Sequence, residues 1–259
     1  MKKEFDISVI LLIERDYATE THTFEALGFE YKQEEGDTIG VERKYGVFVE
    51  NTRVELVVGL SKDSNDNLQK TFVGYADRLV YIDCGINKAQ KINALVRECS
   101  GDKICFVSPN VFAPKQWLTD LNFYHKLIPK TGLVGLADSV SQSEYLPIFS
   151  TEDEKSVKVF IPNDNCIETH GLFLTTRQNF YFVGALDTSP EIAGYEWTHW
   201  QMRAISLGLT NFYIPTLPCM VANKEALELA MKGIEYKGIT AMKKSLGDMK
   251  KMRNFYIPL

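Results

Sequence analysis

The chain has 259 residues, enough for one large domain or two small ones and too many for a peptide-sized module. Hydrophobic residues make up 45% and charged residues 24%, with 17 Gly and 9 Pro, a globular composition that excludes the disordered, collagen-like and disulfide-scaffold classes. Its 29 Lys and Arg against 34 Asp and Glu leave a net charge of −5, which argues against an unspecific polyanion binder.

In chain order, residues 6–13 (DISVILLI) form a β-branched apolar run without helical period, as expected of a strand buried on both faces of a parallel sheet. Its apolar part, Ile7–Ile13, is the longest such stretch and far short of the about 20 residues that span a bilayer. No signal-peptide pattern opens the chain, so the expected location is cytoplasmic. Residues 14–53 are charged and rich in Glu and Gly, with a helix expected around Thr21–Leu27 and a hairpin-like stretch near Gly40–Val49. Residues 54–60 (VELVVGL) repeat the buried-strand pattern and run into SKDSNDN, a cluster of turn formers.

A short strand over Asp77–Asp83 precedes a helix over Asn87–Cys99, in which Ile92, Leu95, Val96 and Cys99 fall at i, i+3, i+4 and i+7 and make one core-facing stripe. Ser100, Gly101 and Asp102 end that helix. The strand Lys103–Val107 then halts at Ser108, Pro109 and Asn110, because proline cannot donate to a ladder. A loop at the C-terminal end of such a strand is where open α/β sheets bind ligands. A helix over Lys115–Leu127, strands over Gly132–Ala137, Val157–Ile161 and Gly171–Thr175, and a helix over Glu196–Leu207 follow. The alternation predicts an α/β fold with a mostly parallel sheet and a more mixed second half.

Several chemistries are weakened by what the sequence lacks. It has no Gly-x-Gly-x-x-Gly, Walker or nucleophile-elbow pattern, and His22, His125 and His170 are scattered without metal-ligand spacing, which weakens the dehydrogenase, kinase, hydrolase and zinc readings together. The five cysteines, at 84, 99, 105, 166 and 219, lack C-x-x-C spacing and read as reduced core thiols. On the last helix, Glu196, His199 and Arg203 are three and then four residues apart and share a face, while Trp197, Trp200 and Ala204 form the neighbouring apolar stripe. From Lys243 to Arg253 five basic residues oppose only Asp248, which reads as a solvated helix end or as a peripheral contact to a membrane or nucleic acid.

The order of segments resembles nucleotide-sugar glycosyltransferases of the GT-A type, near the large family-2 group, over most of residues 5–216. DISVILLIERDY resembles the family's first strand and substrate loop, and VELVVGLSKDSND its second strand and acidic turn. NKAQKINALVRECSGDKICFVSPN is similar to the helix with an internal Asn, Gly turn and strand that lead to an Asp-x-Asp motif. GLFLTTRQNFYFVGALD resembles the stretch ending in Gly-Phe-Asp, and GYEWTHWQMRAISLGLTNFYIP the helix with a Glu-Asp pair and the closing strand. The resemblance implies a Rossmann-like GT-A domain over 1–220, a mostly parallel mixed sheet flanked by helices, with a helical basic tail over 221–259 packing on it. It implies transfer of a sugar from a nucleotide-sugar donor to a hydroxyl acceptor, with inversion, the acceptor being a saccharide, lipid, protein or modified nucleobase.

Departures from the family pattern fall at the chemistry. Ser108, Pro109 and Asn110 stand at the Asp-x-Asp motif, and the neutral oxygens of Ser108 and Asn110 are weak ligands for Mn²⁺ or Mg²⁺ beside carboxylates, so metal is expected to bind weakly or not at all. Trp197 stands where the family's base usually is, with Glu196 matching the preceding Glu. Glu196 is then a general base or an ion-pair partner of Arg203, and His199 a second base candidate or a hydrogen-bonded structural histidine. On the donor side the resemblance points to Glu14 and Arg15 after the first strand, Asp63 after the second, Lys88 at the start of the following helix, Ser108, Asn110 and Arg203, with Lys243, Lys244, Lys250 and Lys251 as further cations for the diphosphate. On the acceptor side it points to Asp187, which otherwise caps the turn with Thr188 and Ser189, and to Trp197 and Trp200, which floor a sugar or pack on the sheet. The two losses also suit a non-catalytic binding or scaffolding domain, and an acceptor base in DNA is a third reading.

Overall fold

The structure, a computed structural model, describes residues 5–13, 29–33, 39–43, 52–62, 76–107, 111–112, 117–128, 130–136, 146–149, 157–159, 172–214 and 220–221. In chain order the strands are Ile7–Ile13 (β1), Phe29–Gln33 (β2), Ile39–Arg43 (β3), Val54–Ser61 (β4), Arg78–Ile82 (β5), Lys103–Val107 (β6), Val111–Phe112 (β7), Thr131–Leu136 (β8), Leu146–Phe149 (β9), Val157–Val159 (β10), Leu172–Thr176 (β11), Thr210–Ile214 (β12) and Met220–Val221 (β13). The helices are Lys88–Glu98 (α1), Trp117–Leu127 (α2), Arg177–Val183 (α3) and Glu196–Ser206 (α4), with a 3-10 turn at Pro190–Ile192.

Seven strands form one sheet in the order β12-β8-β11-β6-β1-β4-β5. Every neighbouring pair in it is parallel except at β11, which runs antiparallel to both β6 and β8. The side-chain period of two divides the core between the faces. From β1, Ile7, Val9, Leu11 and Ile13 join Leu56, Val58 and Leu60 under Trp117, Leu118 and Leu121 of α2. Ile10 joins Val57, Ile104 and Phe106 under α1, α3 and α4 on the other face. The sheet is thus buried on both sides, as the unbroken apolar runs of β1 and β4 require. No described helix is long and apolar enough to cross a membrane.

The structure adds α3 to the sequence expectations and corrects them at Cys84. β2 and β3 form a hairpin, paired from Phe29 with Arg43 to Gln33 with Ile39, with Gly36 and Asp37 between them in sequence; of the hairpin-like stretch expected near Gly40–Val49, residues 40–43 lie in β3 and 44–49 lie outside the described residues. Residues 177–183, unassigned from the sequence, form α3, because Thr176 accepts a hydrogen bond from the Asn179 amide at 2.9 Å and caps it. Of the three described cysteines, Cys99 and Cys105 are core thiols, but Cys84 is exposed just past β5 with its sulfur 2.7 Å from Ser61 Oγ. The helix expected at 21–27 and the tail beyond 221 lie outside the described residues.

A buried carboxylate fixes the turn between α1 and β6. Glu55 of β4 accepts hydrogen bonds from Ser8 Oγ, from the Ser100 amide at 2.5 Å and from the Gly101 amide at 3.2 Å, while Arg78 Nε lies 3.4 Å from its other oxygen. The backbone therefore passes so close that a Cβ on Gly101 would stand 2.6 Å from the Ser8 backbone nitrogen. On Gly59 a Cβ would meet only methyl ends, Ile82 Cδ1 and Leu95 Cδ1, each at 2.8 Å. Gly101→Ala is expected to cost about 2–3 kcal/mol and Gly59→Ala about 1 kcal/mol, since side-chain ends can rotate and backbone cannot. Urea unfolding of the two variants checks the order, and an equal or reversed cost would contradict it.

Candidate active site

β1, β4, β5 and β6 end on one edge of the sheet, at Ile13, Ser61, Ile82 and Val107, and β11 begins there with Leu172 opposite Val107. Helices that follow or precede strands in this pattern run back across the sheet, so α1 and α4 both start at this edge. Lys88 opens α1 and is exposed; Asn87 before it closes a capping box with Gln90, through two hydrogen bonds of 2.9 Å. Glu14, Arg15, Asp63, Ser108 and Asn110 lie outside the described residues; the strands that precede them, β1, β4 and β6, end at this edge. β7, two residues long, follows the Ser108–Asn110 segment and pairs with β13.

The segment 183–189 between α3 and the 3-10 turn is strapped from two helices. From α1, Asn93 donates through Nδ2 to the Leu186 carbonyl at 2.9 Å and accepts through Oδ1 from the Leu186 amide at 3.0 Å. Asn87 Nδ2 donates to the Thr188 carbonyl at 2.8 Å. From α4, Arg203 donates to the Val183 carbonyl at 3.3 Å and the Ala185 carbonyl at 2.7 Å. Gly184, at φ +94°, supplies the left-handed turn out of α3 that a side chain would resist. Asp187 accepts from the Ser189 amide at 2.9 Å and from the Ser189 hydroxyl, so its expected turn-capping role is present.

The face shared by Glu196, His199 and Arg203 turns toward that loop. His199 is 1% exposed, and its Nδ1 stands 3.6 Å from Asp187 Oδ2. Burial pushes the imidazole down to about 4, Arg203 adds to that and Asp187 opposes it, so at neutral pH a neutral ring sits beside a carboxylate rather than in an ion pair. Burial raises the Asp187 carboxyl, but the Ser189 hydroxyl and amide, then His199 and Arg203, outweigh it and leave the group below its ordinary value. The ion pair of Glu196 with Arg203 that the spacing allows is not formed: the terminal nitrogens of Arg203 serve the loop carbonyls. Glu196 is buried in the first turn of α4, and among the described residues its carboxylate has no hydrogen-bond or ion-pair partner.

The neighbouring stripe is core. Trp197 packs edge-on against Phe106 at 4.6 Å and Phe173 at 4.8 Å, and Trp200 stacks on Phe180 at 6.2 Å. Of the two readings for these indoles, packing on the sheet is the one realised, and Trp200, fully buried, presents no face to a sugar. Arg203 likewise stands as a loop clamp rather than an open cation. Of the two residues that carry the arrangement, Asn87 was not singled out from the sequence, and Asn93 entered only as the internal Asn of the helix that carries the resemblance, with no role given to it. Among the described residues, no three His, Cys, Asp or Glu side chains gather as a metal centre would require.

In the described seven-strand sheet, the strand order, the antiparallel β11 and the helices that start where β1, β4 and β6 end give a mostly parallel α/β fold of the GT-A type. A structure of GalNAc-T7 with UDP, GalNAc and Mn²⁺ matches 85% of this chain and 44% of that one, with TM-score 0.58 and 11% identity. Staphylococcus aureus TarS matches in two structures: residues 1–349, over 90% of this chain and 65% of that one, TM-score 0.55 and 13% identity; and a longer form, over 80% and 36%, TM-score 0.51 and 14% identity. The chain thus spans less than two thirds of each neighbour's length. No protein-family model matches the chain, and no curated protein does. At such identities the likeness carries the fold and leaves the chemistry to the residues.

The histidines make a pH prediction. His199 and His125 are both held near 4, below the 6.5 of an unstrained imidazole, chiefly by burial. The unfolded chain therefore takes up protons first as pH falls, and the stability held above 6.5 is lost between 6.5 and 4. Denaturant midpoints should fall across that window, and His199→Gln should make the fall shallower; an unchanged slope in the variant would remove His199 from the account.

Proposed function

We propose that this chain binds a nucleotide-activated sugar along the edge where β1, β4, β5 and β6 end, and transfers the sugar to a hydroxyl acceptor. The observation that carries this reading is the match of 85% and 90% of the chain to glycosyltransferase structures, one of them holding UDP, GalNAc and Mn²⁺. Uridine nucleotide sugars are therefore the first donors to test. In the proposed reaction the acceptor oxygen attacks the anomeric carbon from the face opposite the diphosphate, with inversion. The bond to the diphosphate oxygen breaks with its electron pair, and the acceptor proton passes to a base.

The roles follow the site. Glu196 takes the proton: it lies buried in the first turn of α4, and no partner among the described residues competes for its carboxylate. Asp187, held ionised and partly exposed, receives an acceptor hydroxyl, and His199 is a neutral neighbour that orients it. Lys88, with the N-terminus of α1 behind it, meets charge developing on the departing diphosphate. Glu14, Arg15, Asp63, Ser108 and Asn110 complete the donor side. Mn²⁺ or Mg²⁺ would neutralise the diphosphate where carboxylates hold it; the Ser108 and Asn110 oxygens do not fit that demand, so no step here runs through a metal.

A second reading, a binding or scaffolding domain without turnover, is favoured by Trp197, whose ring fills the core where the family's base belongs. Two experiments separate the readings. Calorimetry should detect UDP or a UDP-sugar; absence of binding by any nucleotide at millimolar concentration would sink the enzyme and leave the scaffold. Release of nucleotide in a donor screen, persisting in EDTA, supports the enzyme. In that assay Glu196→Gln should lose about 10²- to 10⁴-fold in turnover with donor affinity kept. A variant as active as the parent would strip Glu196 of the role.

A further inference from the structure

Asn93 sits inside α1, a helix whose own hydrogen bonds do not need it and whose propensity it lowers by roughly 0.5 kcal/mol against Ala. Its partner is Leu186, 93 residues away in sequence. The side-chain amide is a planar donor and acceptor pair with the geometry of a peptide unit, and it engages both polar groups of one residue, the amide at 3.0 Å and the carbonyl at 2.9 Å. Such a pairing fixes direction as well as distance, which apolar packing of the loop could not. Leu186 is buried, so both of its main-chain groups need partners there.

The residue after Leu186 is Asp187, and the residue after that is tied to α1 again through Asn87 and the Thr188 carbonyl. Asp187 is therefore held on both flanks from one helix, the helix whose first residue is Lys88. We infer that Asn93 is a positioning residue: through Leu186 it sets where the Asp187 carboxylate stands, and it governs acceptor binding rather than donor binding. This rests on the function proposed above, in which Asp187 meets the acceptor. Arg203 supports the start of the loop, at Val183 and Ala185, and Asn93 supports the part that carries the carboxylate.

The test compares Asn93→Ala and Asn93→Asp with the parent in hydrogen exchange, UDP calorimetry and steady-state kinetics. Asn93→Ala should speed exchange of the Leu186 amide by about tenfold or more, as expected for one lost hydrogen bond. UDP affinity should stay within about twofold, because the donor side is not touched. Acceptor kcat/KM should fall by about 10- to 100-fold, mostly through acceptor KM, since a displacement near 1 Å is enough. Asn93→Asp keeps the acceptor for the Leu186 amide and opposes the Leu186 carbonyl, so exchange at Leu186 should stay slow while the kinetic defect remains; it also carries the test if the alanine variant does not fold. Unchanged exchange in Asn93→Ala, or UDP affinity falling in step with acceptor kinetics, would overturn the inference. If no donor is turned over at all, the proposed function has failed by itself, and the exchange pattern still decides this point: acceleration confined to 184–189 upholds the strap, and acceleration spread through α1 rejects it.

Discussion

β11 runs antiparallel between β6 and β8, so the chain that leaves it at Thr176 emerges opposite Lys103, on the edge away from the ends of β1, β4 and β6. It has to come back. α3, seven residues and so about 10 Å long, makes the return, and Gly184 turns the chain onto the binding edge. The loop with Asp187 and the first turn of α4 with Glu196 both lie in the stretch that follows. α4 then recrosses the sheet, and β12 starts at the far edge, where the Thr210 amide meets the Lys130 carbonyl at 2.9 Å. Had β11 been parallel like its neighbours, this excursion would have emptied onto the wrong side, and neither carboxylate would reach the edge where the other strands end.

α1 is the element that joins the two edges. At its C-terminal end the following turn is locked by Glu55, and Arg177 donates to the Cys99 carbonyl at 2.6 Å. At its N-terminal half Asn87 and Asn93 hold the loop of Asp187. A buried polar group is costly unless it is paired, so each of these contacts specifies one arrangement and penalises others. The far edge uses a carboxylate between main-chain amides and Arg78, a fixed polar core; the opposite edge uses the side-chain amides of Asn87 and Asn93 together with the Arg203 guanidinium to hold one loop.

What could be read from the sequence follows the range of the interactions. β1 and β4 are unbroken apolar runs, α1 has a one-face stripe and α4 a pair of stripes, and each of these is a local pattern that survives in the fold. α3 was missed because Phe180, Tyr181 and Phe182 favour strands, while the cap that makes it helical is a single threonine at its boundary. The face of α4 was read correctly as two stripes, but periodicity does not say which stripe meets a ligand, and the sheet claimed both indoles. The strap was out of reach for a stronger reason: Asn93 and Leu186 are brought together only by the sheet order, and nothing near either residue encodes the other.

Under the proposed function, Trp197, which stands where the resemblance places a base, has a geometric consequence. Adjacent helix positions are about 100° apart round the axis, so moving the carboxylate from 197 to 196 swings it off the stripe that faces Phe106 and Phe173. It arrives on the stripe of His199 and Arg203, the side that meets residues 183–189. An acceptor hydroxyl served by Glu196 therefore has to approach from the Asp187 side of α4, and not across the aromatic floor. Under that proposal, precise placement of Asp187 becomes a requirement of the chemistry, because the loop proposed to receive the acceptor would also decide whether its proton can reach Glu196.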